Sequence, residues 1–188
     1  MTLLAAGLAL FLGSHLLPAV PKLRDALVTP LGPVTYRIAF SLVSTAAVLM
    51  IVFGYLQADR GEQLFAPFPA AQAIAPYAMT LAFILFASAR GPSHIRATVK
   101  HPLLLGTLIW SVLHLLANGD LRGTVLFGTF LVYALADLAS LIARPPIESF
   151  APRAPADAIS VVAGVAISLL VMAFHRVLFG PLVVGFGV

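Results

Sequence analysis

The chain has 188 residues, 61% of them hydrophobic and only 10% charged, with a net charge of +4 and a mean hydropathy of +1.04. Soluble domains carry about 25% charged residues, so this composition excludes a soluble globular fold and points to an all-α, polytopic transmembrane helical bundle. The cationic excess is small and follows the loops, which argues against nucleic acid as a partner. The absence of cysteine excludes disulfides, thiolate metal sites and covalent haem attachment.

Six apolar runs come close to the roughly 20 residues that cross a bilayer. They cover residues 3–20, 38–57, 70–89, 103–117, 125–143 and 158–179, and a single integral membrane domain over 1–188 is expected. The first run lacks a basic leader and is followed by Pro-Ala-Val-Pro-Lys, so it is expected to be retained as a helix. Pro18 and Pro21, then Pro30, Gly32 and Pro33, punctuate the first linker. Gly61, Pro67 and Pro69 follow, then Gly91 and Pro92, then Pro145, Pro146, Pro152 and Pro155; each cluster is expected to stop one helix and start the next.

Lysine and arginine alternate by loop. Lys22, Arg24 and Arg37 fall between the first two runs, Arg90, Arg96 and Lys100 between the third and fourth, and Arg144 and Arg153 between the fifth and sixth. The other side has Arg60, Arg122 and Arg176. The positive-inside rule then places the three basic loops in the cytoplasm and both termini outside it. Membrane lipid is the expected surround. Ser160, Gly164 and Ser168 in the sixth run form a small-xxx-small seam, either internal or between copies in a homo-oligomer.

The fourth run is the shortest, and Asn118-Gly119-Asp120 after it predicts a tight helical hairpin with the fifth. A helix here puts Thr107, Trp110 or Ser111, His114 and Asn118 on one face. That face is expected to look into the bundle, with His114 at its centre, because an ionisable residue inside an apolar span is costly.

His15 and His114 are the two histidines embedded in apolar sequence away from a basic loop. On this topology they lie ~10 Å and ~17 Å from the cytoplasmic face, at 1.5 Å per residue. Two readings stand side by side. Each imidazole hydrogen-bonds a neighbouring helix, or the two face one cavity as a b-type haem requires, with no covalent link.

His101-Pro102 opens the fourth run; the histidine either caps the helix or meets headgroups, or it contacts an anion or cofactor beside Lys100 and Arg96. Asp137 is the carboxylate placed well inside an apolar run, one turn after Tyr133. An ion pair with Arg37, Lys100 or Arg144 is expected, with proton transfer as the alternative. Arg37 shares a helix face with Ser41 and Ser44 and suits a membrane-boundary anchor; beside a haem it would suit a propionate. No Gly-rich phosphate loop, HExxH, Ser-His-Asp pattern or carboxylate cluster is present, so hydrolytic and nucleotide-driven chemistry have no support.

Four blocks together carry a resemblance. They are Gly13-Ser-His-Leu-Leu-Pro18 with Leu23-Arg24, Tyr36-Arg37-x-x-Phe-Ser-Leu, Lys100-His101-Pro102-Leu-Leu-Leu-Gly106, and Trp110-Ser111-Val-Leu-His114 with Asn118-Gly119-Asp120. The chain resembles the NnrU family of bacterial membrane proteins over nearly its whole length. That resemblance implies the bacterial inner membrane and a redox or sensing role in nitrite and nitric oxide reduction, with nitric oxide as a candidate gas ligand. The blocks are also similar to those of zeta-carotene isomerase, a b-type haem enzyme. This likeness implies haem b with His15 and His114 as axial ligands, and His101, Trp110 and Ser111 beside it in the matching blocks. Arg37 and Lys100 would be the propionate contacts. Ser111 stands where the isomerase has a cysteine, so chemistry built on that thiolate does not carry over. Cis-trans isomerisation of a lipophilic polyene is the alternative activity. A non-enzymatic scaffold is a further class, and a fainter likeness to isoprenylcysteine methyltransferases rests on the His-Pro block alone.

Overall fold

The computed structural model describes residues 1–141 and 150–179. Its helices are α1 (Thr2–His15), α2 (Pro21–Gln57), α3 (Pro69–Ser88), α4 (His94–Val99), α5 (Pro102–Asn118), α6 (Leu121–Ser140) and α7 (Ala154–Phe179). Five helical stretches are long and apolar enough to cross a membrane, and α5, at 17 residues, is a shorter apolar helix. An all-α polytopic bundle is the architecture: the runs at 38–57, 103–117 and 158–179 lie within α2, α5 and α7, and the run at 70–89 ends one residue past α3. The run at 3–20 passes the end of α1 at His15 into a short turn at Leu17–Ala19, and the described part of the run at 125–143 follows α6 to Ser140. Residues 142–143, Arg144, Pro145 and Pro146 fall outside the described part, and so does the expected Arg144–Asp137 pair.

The first linker differs from expectation. Residues 21–31 are helical rather than a loop, and the chain breaks at Gly32 alone, with φ 75° and ψ 158°. Proline suits a first helical turn, so Pro21 starts the first half of α2 and Pro33 starts the second. Glycine between them takes the positive φ that other residues avoid.

The bundle packs in pairs: α1 on α2, α3 on both α5 and α7, and α5 on α6, with a lighter touch between α1 and α6. One core joins Leu4, Leu8 and Phe11 to Ala47, Ile51, Leu126 and Phe127. A second joins Ala71, Met79 and Ala82 to Leu113. Trp110 packs against both.

Small residues set the closest crossings. A Cβ on Gly7 would stand 2.8 Å from Met50 Cβ, and one on Gly164 would stand 2.5 Å from Ile84 Cα. The second contact, with the 2.9 Å hydrogen bond between Thr80 and Ser168 hydroxyls, places the small-residue seam of α7 inside the chain, against α3.

Two ends of the bundle can be told apart. At one, Gly119 (φ 73°) ends α5 and Asp120 caps α6 through Gly123 N–H at 2.8 Å, which is the tight hairpin. Gly119 O accepts from Leu64 N–H at 2.8 Å, and Leu121 N–H donates to Glu62 O at 2.9 Å, so the 58–68 segment seals that hairpin end. At the opposite, basic end, Ser93 caps α4 through Arg96 N–H, and Asp157 at the start of α7 holds His94 Nδ1 at 2.6 Å and Ile95 N–H at 3.1 Å.

Candidate functional site

The polar stripe of α5 satisfies itself along its own helix. Thr107 Oγ1 donates to Leu103 O at 2.9 Å, Ser111 Oγ to Thr107 O at 2.5 Å, and Asn118 Nδ2 to His114 O at 2.6 Å. His114 Nδ1 lies 2.9 Å from Trp110 O. A carbonyl only accepts, so Nδ1 carries the proton there and Nε2 is the basic nitrogen. The ring lies among Phe127 (4.8 Å between centroids), Trp110 (5.6 Å) and His175 of α7 (6.5 Å).

His15, the last residue of α1, repeats the arrangement. Its Nδ1 lies 3.0 Å from Phe11 O, and its Nε2 is 3.4 Å from Ser44 Oγ of α2. The ring stacks on Phe11 at 3.8 Å and meets Phe40 at 5.2 Å and Tyr133 at 6.0 Å. In both histidines the backbone fixes one tautomer, the device by which a metal-binding imidazole is commonly oriented.

By donor chemistry, then, both histidines fit a haem. Their placement is another matter. Among the described residues no ring contact joins them; the path from His15 to His114 runs through Phe11, Phe130 and Trp110, with centroid steps of 3.8, 4.9, 5.2 and 5.6 Å. Their contacts on α6, Tyr133 and Phe127, are six residues apart, which is about 9 Å along the helix at 1.5 Å per residue. His15 lies toward the basic end and His114 toward the hairpin end.

Arg37 donates Nε–H to Pro33 O at 3.1 Å and is exposed, two turns below Ser44 on the same face of α2. It therefore sits on the His15 side. Lys100 is exposed and has a positive φ of 61°, and His101 precedes α5 without a side-chain cap bond; both lie at the basic end, away from His114. Ser111 is fully buried. Ser140 Oγ donates to Asp137 Oδ1 at 3.2 Å. Among the described residues no three His, Asp or Glu side chains gather as a metal-holding group.

His175 is the residue that sequence reasoning passed over. It lies near the end of the last apolar run, 158–179, and is not counted among the histidines embedded away from a basic loop. The signal available was its position, four residues before the end of α7 as His114 is four before the end of α5.

The family model described as NnrU protein matches residues 3–183. No curated protein and no solved structure matches the chain.

Proposed function

Because the chain belongs to the NnrU family, we propose that it is a multi-pass protein of the bacterial inner membrane that holds a b-type haem through histidine. Its role is in redox or sensing steps of nitrite and nitric oxide reduction. The observation that supports this most directly is the shared state of His15 and His114. Each has Nδ1 tied to the carbonyl one turn back in an aromatic surround, and His15 Nε2 reaches Ser44 of α2. When bound, a haem supplies a one-electron centre in a site that excludes water.

The chain's own part is to orient the imidazoles and keep the surround apolar. Trp110 and Phe127 wall the His114 ring, and Phe11 stacks on His15. In the family pattern His15 is the second ligand to His114, and Arg37 lies on the side of the bundle where it would meet a propionate of a haem near His15. The basic end faces the cytoplasm in this reading.

The test is the absorption spectrum of detergent-purified protein, oxidised and dithionite-reduced, for wild type and His114→Ala. A sharp Soret band with split visible bands on reduction, lost in the variant, is the expected result. A colourless wild type that stays colourless after haem is added overturns the proposal.

A further inference from the structure

The first half of α2, residues 21–31, is helix that a membrane crossing does not need. The second half, from Pro33 to Gln57, is about 37 Å long at 1.5 Å per residue. That already exceeds the roughly 30 Å hydrocarbon core. Gly32, with φ 75° and ψ 158°, uncouples the first half from the axis of the second. Residues 21–31 are thus left at the membrane boundary, on the basic end of the bundle.

The side chains of this half are sorted around the helix. At about 100° per residue, Leu23, Leu27 and Leu31 fall in one row, with Ala26 and Pro30 beside it. Lys22, Asp25 and Thr29 fall on the opposite side, and Arg24 stands at the edge of the leucine row. A helix patterned this way lies in the plane of a membrane surface, apolar side down.

The leucine row is not covered by the protein. Leu23, Leu27 and Leu31 are 51%, 40% and 45% exposed. In this stretch only Val28, on another side of the helix, is half-buried. Helix α2 packs chiefly on α1 and on the short turn at Leu17–Ala19. Charge says what covers the row. Lys22, Arg24 and, just past the break, Arg37 outnumber Asp25, which pairs with Arg24 at 3.3 Å in the open. A second copy of the chain would bring this positive charge against itself, whereas anionic headgroups complement it. Long basic side chains at the edge of an apolar row reach such headgroups while their stems stay on the apolar side.

We infer that residues 21–31 are an interfacial anchor for anionic phospholipid. Its leucines enter the acyl boundary, and Lys22 and Arg24 hold the lipid phosphate. Gly32 is the joint that lets this helix lie flat while the second half of α2 crosses the bilayer. The anchor is independent of the haem reading.

The test uses full-length protein in phosphatidylcholine vesicles containing phosphatidylglycerol, with Leu27→Cys carrying a bimane; the chain has no cysteine of its own. Brominated phosphatidylglycerol is expected to quench the label with a roughly threefold or greater preference over brominated phosphatidylcholine at equal mole fraction. Lys22→Gln combined with Arg24→Gln should abolish that preference while both lipids still quench, which shows the helix in place. A bimane on Thr29→Cys, on the opposite side, should be quenched by aqueous iodide instead. Iodide quenching at Leu27→Cys with none from either lipid overturns the anchor. Equal quenching by the two lipids with Lys22 and Arg24 present overturns the headgroup assignment. Protection of the Leu27→Cys label from all three quenchers gives the row to another copy or another protein and overturns the inference as well.

Discussion

The Arg122 guanidinium lies 4.2 Å from the centroid of the Tyr55 ring, and the same group donates to the carbonyls of Tyr55 at 3.1 Å and Ala58 at 2.7 Å. One side chain from the start of α6 thus ties down the last turn of α2, whose final carbonyls have no helical partner. The arginine that sequence reading counted only as a charge on the sparsely basic side is a structural clamp.

Arg122→Ala is expected to cost about 2–3 kcal/mol, since hydrogen bonds to charged groups are worth about 1.5–3 kcal/mol each and part is recovered by water. Arg122→Lys should recover less than half, because an ammonium cannot reach two carbonyls and lie flat on a ring as a guanidinium does. Thermal unfolding in detergent reads both; an Arg122→Ala protein as stable as wild type would remove the clamp.

The α3–α7 seam predicts a steric effect separate from a polar one. Gly164→Leu should destabilise the protein by at least about 2 kcal/mol, as overpacking commonly does, because its Cβ alone would stand 2.5 Å from Ile84 Cα. Ser168→Ala should lose only about 0.6 kcal/mol, the usual worth of a hydrogen bond between membrane helices. Equal losses in the two variants would contradict the seam.

Two glycines should respond with opposite sign to the same change. Gly119→Ala places a side chain at φ 73° and against Phe65 O, so the left-handed backbone alone costs about 1–2 kcal/mol. Gly128, in the middle of α6, has nothing within 4 Å of an added Cβ; alanine there should stabilise the helix by up to about 1 kcal/mol.

With no native cysteine, topology can be read by single introduced thiols. Thr98→Cys, at the basic end, should react with a membrane-impermeant maleimide only in inverted vesicles. Asp59→Cys, at the hairpin end, should react in intact cells. The reverse pattern would invert the assigned orientation.

Much of the architecture was legible because a bilayer leaves few choices. An apolar run of sufficient length must close its own backbone hydrogen bonds, so it becomes a helix. Pro102, Gly119 and Asp120 then mark ends by their local chemistry. The same logic misread residues 21–31, where Pro21, Pro30 and Pro33 suggested a linker and the chain needed only one glycine break. It also left open whether the α7 seam joined helices or copies of the chain.

Composition and periodicity by themselves determined the class, the six apolar helices, the hairpin and the list of histidines. Each depends on residues close in sequence and on the cost of placing polar backbone in lipid. Which histidines share a neighbourhood depends on how α1, α5 and α7 stand along the bundle, and that is set by contacts far apart in sequence. Ser44 meets His15, Gly164 meets Ile84, and Phe130 stands between Phe11 and Trp110. Those packing contacts fix the relative heights of the helices, and through them the tertiary structure set His175, not His15, beside His114.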